Sequence, residues 1–159
     1  MADRKKYNYL RQGKRMLYFY AVSLAVLSIS VLFMPLGVKM ADRTMMFTYI
    51  SGIMFWMGLI GTIAMAFYIS YSRRKSLEFA KIYPKHRRLG LIHFCQNKRA
   101  FICDAMMFIS LIGFIITRIL VEMSIWPYIF LSVLIFSFGM HCMLNGSNYT
   151  YINYKIRSN

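Results

Sequence analysis

The sequence predicts an all-α integral membrane protein. Its four transmembrane helices form two hairpins, with a basic amphipathic cytoplasmic segment between them. Three observations carry this reading. Of the 159 residues, 58% are hydrophobic and only 16% are charged, a balance that would leave a water-soluble globule with much apolar surface in contact with water. The apolar residues gather into four runs of the length, about 20 residues, that crosses a hydrocarbon core of about 30 Å. Finally, seventeen of the twenty Lys and Arg fall in the segments that such a topology places on one side of the membrane.

The net charge of +15 does not point to nucleic acid, because the basic residues sit in short blocks beside apolar runs instead of on a polar domain. Anionic lipid headgroups are the expected contact, each nearby Lys or Arg contributing about 1 kcal/mol. Three cysteines, Cys95, Cys103 and Cys142, form no C-x-x-C pair, so neither a disulfide framework nor a dithiol redox centre is expected.

Residues 1–15 form a basic cytoplasmic amino terminus with Arg4, Lys5, Lys6, Arg11, Lys14 and Arg15 against one acid, Asp3. The first hairpin, 16–71, holds spans over about 16–38 and about 45–69, with Pro35 and Gly37 loosening the far end of the first. In the second span Gly58, Thr62 and Ala66 recur every four residues. Small side chains at that spacing let helix backbones approach closely in lipid, as ordinary packing within one bundle or as an oligomer seam.

Residues 72–99 form the basic loop: Arg73, Arg74, Lys75, Lys81, Lys85, Arg87, Arg88, Lys98 and Arg99 face a single acid, Glu78. Arg74, Glu78, Lys81 and Lys85 fall on one helical face, so the second helix is expected to leave the membrane as an amphipathic extension that Pro84 ends or kinks. The bland role of this loop is a solvated linker obeying the positive-inside rule; the sharper one is a docking surface for lipid and for an acidic partner face.

The second hairpin, 100–144, holds spans over about 100–121 and about 124–144. Trp126 and Pro127 open the last span and Asn145-Gly146 stops it, leaving an interfacial cytoplasmic tail over 145–159. The three remaining basic residues, Lys39, Arg43 and Arg118, lie on the opposite side, which puts both termini in the cytoplasm and the protein in the plasma membrane. Gln12-Gly13-Lys14-Arg15 before span one echoes Gln96-Asn97-Lys98-Arg99 before span three. A duplicated hairpin would produce this echo, and so would the ordinary placement of basic residues before an outgoing span.

Asp104 is the first chemical candidate, because an ionisable group in a membrane helix is functional by default. Lys98, Arg99 and the helix dipole offer it an ordinary structural role. Folding the last hairpin about residues 122 and 123 sets Asp104 at the depth of His141, so the two are expected to meet as a buried polar latch. Arg118 and Glu122 are four apart at the other end of the third span and can pair, or simply anchor it.

Met140-His141-Cys142-Met143 has soft ligands suited to Cu(I), but a helix points consecutive residues apart. His86, His93 and Cys95 lack zinc-site spacing. No metal or cofactor is therefore expected. There is no H-E-x-x-H, G-x-S-x-G, Walker loop or paired-carboxylate cluster. The expectation is a non-enzymatic accessory, assembly or protective subunit that packs against another membrane protein or itself and against anionic lipid. The alternative is a homo-oligomeric small transporter or pore, with Asp104, His141 and Arg118 on its path.

Overall fold

The computed structural model describes residues 2–40, 45–79, 93–120 and 125–145, with side chains described at 15–35, 45–75, 93–120 and 125–145. All its regular structure is helical: α1 (Ala2–Met40), α2 (Met46–Phe79), α3 (Lys98–Leu120) and α4 (Trp126–Leu144). Each contains a stretch long and apolar enough to cross a membrane, the set a multi-pass membrane protein would have.

Helix α1 begins at Ala2 and runs through Pro35 to Met40, so it extends beyond its apolar, membrane-length stretch Arg15–Pro35. Adding turns to an existing helix costs little compared with nucleating one, so the polar leader joins the apolar core in one helix. Proline is tolerated in such helices where local adjustment satisfies the freed carbonyl. The second helix likewise continues past Ile69 to Phe79. The last helix starts at Trp126, with Pro127 in its first turn, where a missing N–H costs no helical bond.

Helix α1 packs against both α2 and α4, and α4 packs against α1 and α3. The contacts Ser23–Gly61, Leu27–Gly58 and Ser30–Ser51 rise along α1 as they fall along α2. The pairs Asp104–His141 and Gly113–Phe130 do the same for α3 and α4. Tyr20, Leu24, Leu27 and Ile69 form the buried core, flanked by Phe55, Leu59, Met65 and Ala66 of α2 and by Ile135, Phe136, Met140 and Met143 of α4. Helix α3 adds nothing large and apolar to it: its buried residues are Ala100, Asp104 and Ser110.

The repeated basic tetrapeptide does not repeat structurally. Residues 12–15 lie inside α1, whereas Gln96 and Asn97 precede α3 and Asn97 caps it, its Oδ1 accepting the Ala100 N–H at 3.0 Å. A duplicated pair of hairpins would also match the α1–α4 contact with an equally extensive α2–α3 contact, which is not observed among the described residues.

A buried polar clasp between α3 and α4

Asp104 stands two turns into α3, on the face that meets α4, and His141 stands in the last turn of α4. Their side chains are 2% and 1% exposed, and His141 Nδ1 lies 2.6 Å from Asp104 Oδ1. A contact that short needs a proton between the two atoms, and which atom carries it follows from the imidazole tautomer; Asn145 Nδ2 also lies 2.9 Å from the same Nδ1. Asn145, one turn beyond His141 and at the C-cap of α4, donates from Nδ2 to the same Oδ1 at 2.9 Å. The other carboxylate oxygen, Oδ2, accepts the backbone N–H of Cys95 at 2.6 Å. The carboxyl group thus has three hydrogen-bond partners inside the protein, the arrangement that makes a buried polar group tolerable.

The segment 93–97 is bound to this cluster along its length. Gln96 donates its N–H to Asn145 Oδ1 at 3.2 Å, and Asn97 Nδ2 donates to the Leu144 carbonyl at 3.3 Å. Phe94 lays its ring against the His141 ring, centroids 4.8 Å apart, and touches Phe108 on its other side at 5.8 Å; Phe138 stacks on His141 at 6.3 Å. Cys95 holds φ at +55°, a left-handed conformation rare for a residue with a Cβ. From α2, Arg73 Nη1 donates to the Met143 carbonyl at 3.2 Å, placing a cation at the C-terminal end of α4, where the helix dipole favours one.

The sequence-derived candidates fall into three groups. Asp104 and His141 are brought into contact. Lys98 and Arg99, the neighbours proposed to balance Asp104, are instead exposed, and that role falls to His141, Asn145 and the Cys95 N–H. Gly58 faces α1 of the same chain, where a Cβ would sit 2.5 Å from Leu27 N, and Ala66 packs on the core. The Gly58 contact is packing within the chain, one of the two roles expected of this series of small residues. Thr62 Oγ1 is buried without a hydrogen-bond partner among the described residues.

Arg118 is exposed, and its suggested partner Glu122 lies outside the described residues, as do Lys81, Lys85, Arg87 and Arg88. Arg74 is exposed and Lys75 sits 6.0 Å above the Tyr71 ring. Among the described residues no three His, Cys, Asp or Glu side chains converge on a point that could hold a metal ion. Cys95, Cys103 and Cys142 are free thiols.

Sequence reasoning missed Asn145, read only as a helix stop, and Cys95, weighed only as an unpaired cysteine without zinc-site spacing. Asn145 was findable, since it lies four residues after His141 on the same helical face. The Cys95 contact had no local signal, because it is made by a backbone N–H. The hydroxyls that bridge or return to helix backbones were also missed: Tyr20 donates to the Gly139 carbonyl at 2.9 Å, and Ser51 to the Ser30 carbonyl at 2.9 Å. No protein-family model, curated protein or solved structure matches the chain.

Proposed function

We propose that this protein is a non-enzymatic accessory subunit of the plasma membrane, working by packing against a membrane partner and anionic lipid. In this reading the four helices form two transmembrane hairpins, both termini lie in the cytoplasm, and the basic segment 72–99 joins the hairpins there as the contact surface.

One observation carries the proposal. Among the described residues, the buried Asp104 carboxyl group is engaged in holding the chain together. Asp104 is saturated by His141, Asn145 and Cys95, and is 2% exposed. A carboxyl group bound by three partners within the chain serves packing, whereas a catalytic site needs an acid, base or nucleophile that faces the substrate. The outward faces of α2 and α3 remain apolar, with Trp56, Ile60 and Phe67 on one and Ile109, Ile112 and Ile119 on the other. Such faces suit lipid or another membrane helix.

The test is mild-detergent purification from native membranes, with the mass of the intact complex and the identity of every co-purifying chain determined. A stoichiometric foreign subunit, lost when the basic residues of 72–99 are neutralised, is the expected result. A homo-oligomer alone would overturn the accessory reading. It would favour the transport reading, for which an Asp–His pair within membrane helices is the supporting feature, and flux measurements on Asp104→Asn and His141→Gln would follow.

A further inference from the structure

The described cations gather at one end of the molecule. Ser23 of α1 lies against Gly61 of α2, Tyr20 of α1 bonds Gly139 of α4, and Asp104 of α3 meets His141 of α4. These contacts bring the start of α1, the end of α2, the start of α3 and the end of α4 together. The apolar, membrane-length stretches stop there at Arg15, Lys75, Lys98 and Leu144. Six of the seven Lys and Arg side chains described, Arg15, Arg73, Arg74, Lys75, Lys98 and Arg99, therefore form a collar at that end, and the seventh, Arg118, lies at the other. Asp104, the one acid among the described side chains, is buried between α3 and α4 and presents no carboxylate at the surface.

Two parts of the collar, far apart in sequence, are fastened side by side. Arg73 binds the Met143 carbonyl, and Asn97, next to Lys98, binds the carbonyl of Leu144. The end of α2 and the first turn of α3 thus flank the end of α4, and the positive end of the α3 dipole lies at the same place. Lys98 and Arg99 are exposed, and they are held in position because residues 95–97 are bonded to Asp104, Asn145 and Leu144. Below this level α2 and α3 make no extensive contact among the described residues. Both expose apolar side chains there, Phe67 and Tyr71 on α2 and Phe101 and Ile102 on α3. A ligand that fits this surface carries negative charge at the limit of the apolar zone and long apolar chains beneath it. The phosphates of a bilayer leaflet lie at that level, and guanidinium forks match phosphate oxygens. An acidic protein segment matches the charge but not the apolar faces under it.

We propose that the collar seats an anionic phospholipid. Its phosphate sits among Lys98, Arg99 and the charges of Arg73, Arg74 and Lys75, and its acyl chains lie along α2 and α3. The lipid thereby bridges two helices that the protein itself leaves apart. This deepens the lipid half of the reading above and rests on it, but on no protein partner.

Native mass spectrometry on the full chain in mild detergent, titrated with phosphatidylglycerol or with phosphatidylcholine of the same acyl chains, tests it. The expected result is saturable binding of a single phosphatidylglycerol per chain, at least about tenfold tighter than phosphatidylcholine. Lys98→Gln combined with Arg99→Gln should weaken phosphatidylglycerol binding at least about tenfold. Lys98→Arg combined with Arg99→Lys should keep it, and Arg118→Gln should leave it unchanged. Equal binding of the two lipids, anionic uptake that does not saturate, or an equal loss from Arg118→Gln overturns the proposal. A foreign subunit that co-purifies while phosphatidylglycerol shows no preference would leave the accessory reading standing and remove this one. Saturable phosphatidylglycerol binding by a homo-oligomer would do the reverse.

Discussion

Along α1 and α2 the chain joins two membrane-length helices through small and apolar atoms, whereas where α3 begins and α4 ends it joins them through a carboxylate. In the first pair, Gly58 lets the α2 backbone approach Leu27 so closely that an added Cβ would lie 2.5 Å from its N, and Tyr20, Leu24, Leu27 and Ile69 fill the space beside it. In the second pair, α3 buries only Ala100, Asp104 and Ser110, and Gly113 admits the Phe130 ring. Lipid supplies little hydrophobic drive between helices, so association depends on close packing or on polar contacts. The first pair relies on packing spread over many atoms, which no single atom commands. The second relies on one group with three partners, so a single substitution can undo it.

This contrast can be broken, and the largest effect is expected at the clasp. Asp104→Ala leaves His141, Asn145 and the Cys95 N–H without their acceptor, and should cost about 3–5 kcal/mol in reversible unfolding from detergent micelles. His141→Ala should cost nearly as much, and the double variant little more than either single one, because the partners act as a unit. Additive losses would mean that the two residues do not depend on each other.

An intermediate effect is expected at the close approach of α1 and α2. Gly58→Ala forces the two backbones apart, at about 1–3 kcal/mol. Gly52→Ala, six residues earlier on the same helix, meets nothing within 4 Å and should be neutral or gain up to about 1 kcal/mol from helix propensity. Thermal melts of the two variants side by side separate backbone packing from propensity, and equal behaviour would refute the tight contact at Leu27.

The smallest effect belongs to the joint between the two pairs. Tyr20→Phe removes the hydroxyl bonded to the Gly139 carbonyl but keeps the ring in the core, and should cost about 0.6 kcal/mol, the usual worth of such a bond between membrane helices. A loss of several kcal/mol would show that α1 and α4 are held by that bond and not by the Leu24 side chain lying against Gly139.

What could be read without coordinates followed physical reach. The four apolar runs, Pro127 in a first helical turn and Asn145 at a helix end are properties of a residue and its near neighbours, and each governs structure locally. The equal depth of Asp104 and His141 was also legible, because the few residues between the third and fourth apolar runs leave little choice of register. The length of α1 was not: charges at 2–15 mark where a membrane ends but say nothing about where a helix does.

The sequence by itself determined that the chain needs an apolar solvent and that its polar mass is concentrated in a few segments, since hydropathy and charge are summed along the chain. Only the tertiary structure decided that α1 and not a second copy fills the groove at Gly58, and that Asn145 and the Cys95 N–H complete the carboxylate's shell. It also decided that α3 joins through a polar contact instead of through the core. Those outcomes depend on which faces meet and which backbone groups are left seeking a partner, and neither exists until the helices have packed.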